Sequence, residues 1–155
     1  MRSMSLLQKQ TYCRRFGVAK IVPYIQYPLA DKDIISLQAL FTTPGCHAIE
    51  VADVQAGRLL ITRLLKSLKY HHEIGFVTDS QFDVCAPAVN ITSILAGVQD
   101  QEQIVSFFLN EFYYDFIWIE VTSYSDHMAW FHDFYTELIN FNIQQMIPVI
   151  LVFYR

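Results

Sequence analysis

The chain has 155 residues, enough for one domain with a real buried core. Its formal net charge is −4, and its basic residues are dispersed: Arg14-Arg15, then Arg58, Arg63, Lys66 and Lys69. That pattern excludes the clustered basic surface that neutralising phosphates requires, so no nucleic-acid partner is expected.

Apolar residues make up 53% of the chain and charged ones 17%. Typical soluble domains carry about 45–50% and about 25%, so the surplus points to a surface that meets another chain. Cys13, Cys46 and Cys85 are odd in number and widely spaced, which indicates neither a disulfide framework nor a zinc site and fits a reducing cytoplasm. No signal peptide is expected, because the basic N-terminal run lacks an apolar h-region and a small-residue cleavage site. Apolar runs such as residues 146–154 are too short to span a bilayer, so no membrane insertion is expected.

Taken in order, residues 1–27 read as mixed and polar, with 18–27 as an extended edge segment limited by Pro23 and Pro28. Ile34, Leu37, Leu40 and Phe41 have helical spacing, with Asp31 or Asp33 as N-cap, and a turn at Thr42-Thr43-Pro44-Gly45 closes an N-terminal lead-in over 1–43. Residues 48–51 form a short apolar strand. A loop ending in Gly57 follows, and then a helix with Leu59, Leu60, Ile61, Leu64, Leu65 and Leu68 on its buried side.

After His71-His72-Glu73 the spacing predicts strands over 74–78 and 90–95, and Asp100 with Gln103 forms a capping box for a helix through Phe112. Residues 114–122, YDFIWIEVT, are β-branched and aromatic throughout, as a central parallel strand should be. Ser125 or Asp126 then caps a long helix to about Gln145, and a last strand occupies 147–154. Strands alternating with helices imply an α/β fold, a three-layer doubly wound structure on a mainly parallel sheet, as a single domain over 1–155.

Strand, small-residue loop and helix in that order, Cys46 to Tyr70, resemble the phosphate-binding unit of the RecA-like branch of the P-loop superfamily, with the resemblance running from Pro44 to Arg155. A working loop needs a glycine to open the turn, a glycine before a lysine, the lysine, and a Ser/Thr for magnesium. Here Ala52 stands at the first glycine, Gly57 at the second, Arg58 at the lysine and Leu59 at the hydroxyl residue. Alanine resists backbone conformations open to glycine, arginine is planar where lysine is compact, and leucine offers no oxygen to a hard cation. The phosphate loop is therefore degenerate, and neither a bound cofactor nor a metal is expected.

Residues 115–120 resemble that family's second acidic motif, with Glu120 where a carboxylate would orient a magnesium-bound water. The plainer reading is a polar residue at the end of a central strand. Asp79, after the second strand, is a candidate for the family's catalytic carboxylate or a turn residue. With one doubtful carboxylate and no metal site, hydrolysis is not expected. His127 and His132 are five apart and do not share a helix face, so they do not form a helical metal pair. Ser123, Ser125 and Asp126 beside His127 read as a helix N-cap, since no nucleophile-elbow pattern accompanies them.

The long helix carries more rings than one buried stripe needs. Met128, Phe131, Tyr135 and Leu138 lie along the sheet-facing line, while Trp130, Phe134 and Phe141 form a second apolar flank. Those three rings either belong to a deeply buried helix or anchor a protein partner, and a second copy of the chain is one candidate. The run Val54-Gln55-Ala56-Gly57 entering a leucine-rich helix is similar to the SulA-type cell-division inhibitors, short chains that keep the RecA-like sheet without the phosphate loop. That resemblance implies a non-enzymatic regulator or adaptor that acts by binding another protein. The competing readings are a nucleotide binder or slow ATPase using Arg58 and Glu120, and a DNA-repair accessory or scaffold subunit of a larger assembly.

Overall fold

The computed structural model describes residues 4–18, 31–66, 72–78, 89–97, 101–109, 114–121 and 128–154. Among these, six helices flank one five-stranded sheet. Strands β1 (Gly45–Val51), β2 (His72–Thr78), β3 (Val89–Leu95), β4 (Phe116–Val121) and β5 (Pro148–Tyr154) lie in the order β1-β5-β4-β2-β3. Every pairing between them is parallel.

The strands alternate their side chains between two cores. On one face Ala48, Val77, Ile117, Ile119, Val149 and Leu151 meet helices α1 (Leu6–Arg15), α4 (Gln101–Phe108), α5 (Met128–Asn140) and α6 (Ile143–Met146). On the other, Ile49, Ile74, Phe76, Trp118, Ile150 and Val152 meet α2 (Asp31–Leu40) and α3 (Val54–Lys66). The result is a three-layer α/β fold. With helices on both faces, β4 and β5 are buried along their whole length, which is why they read as unbroken apolar runs.

Helix α1 was not anticipated. Ser5 accepts from the Gln8 amide at 3.2 Å, and the Ser5 amide donates to Gln8 Oε1 at 2.9 Å, a capping box. The helix closes at Gly17, whose φ of +69° suits glycine. Val18 N donates to Cys13 O at 2.7 Å and Gly17 N to Arg14 O at 3.2 Å, the two bonds of a Schellman motif. Tyr12, Cys13 and Phe16 are buried in the core, so this part of the lead-in is structural. The extended segment expected over 18–27 lies, beyond Val18, outside the described residues.

Helix α3 begins at Asp53, whose Oδ1 accepts from Ala56 N at 2.8 Å. Leu60, Ile61, Leu64 and Leu65 are buried as expected, but Leu59 is 40% exposed and faces away from the core. Leu68 lies outside the described residues. The long helix expected to about Gln145 ends as α5 at Asn140, and Asn142, in the left-handed region at φ 54°, redirects the chain into α6. The expected caps Asp100, Ser125 and Asp126 lie outside the described residues.

Candidate functional site

Parallel open sheets bind ligands outside the carboxyl ends of their strands, where the winding changes face. Here the chain leaves β1 for α3 on one face and, after β4, forms α5 on the other, so the change of face lies over the ends of β1, β5 and β4. Among the described residues, the buried charged side chains at this edge form two separate groups.

The first joins the two sequence stretches that carry the RecA-like resemblance. Arg58, in the second turn of α3, donates from Nη2 to Glu120 Oε1 at 3.2 Å across 62 residues of sequence. Tyr154, at the end of β5, donates its hydroxyl to Glu120 Oε2 at 2.7 Å. Glu120 is 1% exposed, and the Arg58 side chain is 18% exposed. Both carboxylate oxygens are thus held by donors, as a buried charge requires. The guanidinium contact is single and longer than the best charge-assisted bonds, so the short Tyr154 bond does much of the orienting.

Gly57 allows this closure. A Cβ placed there would lie 3.3 Å from Tyr154 Cε1 and 3.4 Å from Val51 Cγ2. This glycine in the first turn of α3 therefore gives room to the chain's own tyrosine ring. Ala52 is half-buried, and Leu59 presents its side chain to solvent instead of to Glu120.

The second group lies on the opposite face. Lys9 of α1 is 5% exposed and reaches Glu50 Oε2 of β1 at 2.9 Å. Glu50 and Glu120 sit near the ends of β1 and β4, on either side of β5, and each is neutralised by a cation from a helix on its own face. Sequence reasoning missed Lys9, Glu50 and Tyr154. The only trace available was a lone lysine at a position that the Ser5 capping box would place on a helix.

Other candidates separate. Asp79, Ser123, Ser125, Asp126 and His127 lie outside the described residues, and His132 is exposed with Nδ1 3.1 Å from Arg15 Nη1. Among the described residues, no group of three or more His, Cys, Asp or Glu side chains is placed to hold a metal ion. Burial pushes the Cys46 thiol up to about 11 and raises that of Cys13, which keeps both as unreactive thiols near neutral pH.

The aromatic flank of α5 is turned inward, so of the two readings of its rings the structure agrees with the deeply buried helix and not with an exposed partner surface. Trp130 is 9% and Phe134 0% exposed, and half-buried Phe141 packs against the same core. Trp130 stacks on Phe134 with centroids 5.3 Å apart, and Phe108 of α4 lies 4.9 Å from Phe134 and 5.9 Å from Phe141. Comparison with protein-family models, with characterised proteins and with solved structures finds no match.

Proposed function

We propose that this chain is a non-catalytic regulator or adaptor that acts by binding another protein, built on an inactive RecA-like domain. The observation that carries the reading is the Arg58–Glu120–Tyr154 cluster. The two stretches that resemble a phosphate loop and its acidic partner converge at the carboxyl end of the sheet, where such a site belongs. Their charges are spent on each other. Asp53 also occupies the amide end of α3, the position that attracts phosphate in a nucleotide-binding loop.

Within this reading the finer proposal is a cytoplasmic, SulA-like inhibitor of cell division that caps the tubulin-like division protein. Calorimetry with ATP and magnesium is the first test, and no heat of binding is expected from the wild type. Micromolar binding lost in Arg58→Ala would overturn the proposal in favour of a nucleotide binder, the reading that the convergence of Arg58 and Glu120 alone would favour. A polymerisation assay with the division protein tests the finer step, and unaltered filament growth at excess inhibitor would remove it.

A further inference from the structure

We propose that the outer edge of β3 is a self-association surface, on which a second copy of the chain pairs its own β3 antiparallel about a two-fold axis at Ser93. The inference stands apart from the function proposed above and adds an assembly to it. β3 ends the sheet order β1-β5-β4-β2-β3, and among the described residues no strand lies beyond it. Ala96 N donates inward to Thr78 O at 2.8 Å. Backbone groups alternate sides along a strand, so those of Ile94 and Thr92 also turn to β2, while those of Ile91, Ser93 and Leu95 turn outward.

An outward row of amides and carbonyls is a template for another strand, and natural edges are guarded by charge, proline, bulges or brevity. β3 has none of these guards. Its sequence, VNITSIL, carries no charge and no proline, and its register with β2 is unbroken over 7 residues. The opposite edge strand, β1, holds His47 and Glu50, the latter paired with Lys9 of α1. Two chains of formal net charge −4 repel each other, so an uncharged strand is where they approach at least cost.

The register identifies the occupant as a second copy. Ser93 is the middle one of the outward-turned residues Ile91, Ser93 and Leu95. A two-fold axis there sets Ile91 against Leu95 of the second copy and Ser93 against Ser93 of the second copy. These side chains share the face on which Ile91 packs against the α2–α3 core, so apolar meets apolar and hydroxyl meets hydroxyl. Ser93 is exposed, and Ile91 and Leu95 are only half-buried, so the pairing covers apolar surface that the single chain leaves wet. It also closes after two copies. Pairing β3 with β1 is instead a heterologous contact, which builds rings or filaments.

The test is sedimentation velocity on the full chain and two charge variants. The wild type should sediment as a dimer. Ser93→Lys and Ser93→Glu each set like charges face to face at the axis, and each should weaken the dimer by roughly ten-fold or more. An equimolar mixture of the two should recover it. If either variant does not fold, Ser93→Cys reads the same contact. Facing residues of a hydrogen-bonded antiparallel pair lie about 5.5 Å apart, within disulfide reach. Oxidised Ser93→Cys should therefore run as a covalent dimer, and the wild type, with its own three cysteines, should not. A monomeric wild type, a dimer indifferent to both charges, a mixture that stays monomeric, or Ser93→Cys that does not cross-link overturns the inference.

Discussion

The energetics of the Arg58–Glu120 pair are asymmetric, and a double-mutant cycle reads the asymmetry directly. Glu120 is 1% exposed, so Arg58→Met leaves its carboxylate buried without the cation described beside it, though still bonded to the Tyr154 hydroxyl. Stranding a buried charge in this way costs about 3–5 kcal/mol. In a domain of this size that is a drop in Tm of roughly 6–20 °C. Glu120→Gln is milder, because the Arg58 side chain is 18% exposed and turns toward water while the amide oxygen still accepts from Tyr154. Its expected cost is about 1–2 kcal/mol. Arg58→Met/Glu120→Gln removes both charges together, so it should be less destabilised than the sum of the singles by about 2–3 kcal/mol. Urea unfolding followed by far-ultraviolet circular dichroism measures all four proteins. Additivity within about 0.5 kcal/mol would refute the claim that these groups are coupled in a buried site.

Three further outcomes are expected. Gly75→Ala places a Cβ 2.7 Å from Phe107 Cζ, and that ring is stacked on Tyr114 at 4.9 Å and cannot withdraw freely. The substitution should cost about 1–3 kcal/mol in urea unfolding, and a neutral result would contradict the packing of α4 on β2. Ser5→Ala removes the capping box of α1 and should cost about 1 kcal/mol, seen as a lower Tm; no change would mean that α1 contributes nothing to the cooperative unit. Burial raises the Cys46 thiol from 9.0 to about 11, so the folded state holds its proton more tightly than the unfolded chain does. Stability from this group is intact below about pH 9 and is lost as pH climbs through 11, by up to roughly 2–3 kcal/mol, and Cys46→Ala should flatten that part of the alkaline unfolding profile.

Much of the architecture was legible because a parallel sheet covered on both faces needs continuous apolar strands, and residues 116–121 and 148–154 are such runs. Helix α1 was not legible because its pattern is inverted. Leu6 and Leu7 are 66% and 67% exposed while Lys9 is buried, so hydrophobic periodicity points the wrong way. The capping box at Ser5 and Gln8 was the signal to follow. The cover that α1 supplies also bears on the two readings of the α5 flank. Tyr12 and Phe16 of α1 pack on Phe131 and Tyr135, at 5.4 and 5.0 Å between ring centroids, and Phe108 of α4 closes over Phe134 and Phe141. The helix is covered from both sides, and its rings are core. At the site, Arg58 stood out as a departure from a motif and Glu120 as a likeness to one. Their pairing depends on the order β1-β5-β4, which no local spacing records, and Tyr154 read as the end of an apolar strand.

The charges at the change of winding bear on what kind of partner suits the molecule. Two carboxylates, Glu50 and Glu120, sit near the ends of β1 and β4 on either side of β5, and two helices on opposite faces each deliver one cation to them. Among the described residues these two buried carboxylates are each matched by a cation, inside a chain whose formal net charge is −4. Steering of an anionic substrate needs a patch of one sign focused by low-dielectric walls, and matched pairs give no such field. The same pairs tie α1 and α3 to the sheet from both sides. Among the described residues the site region therefore serves as a brace that holds two helices against the sheet.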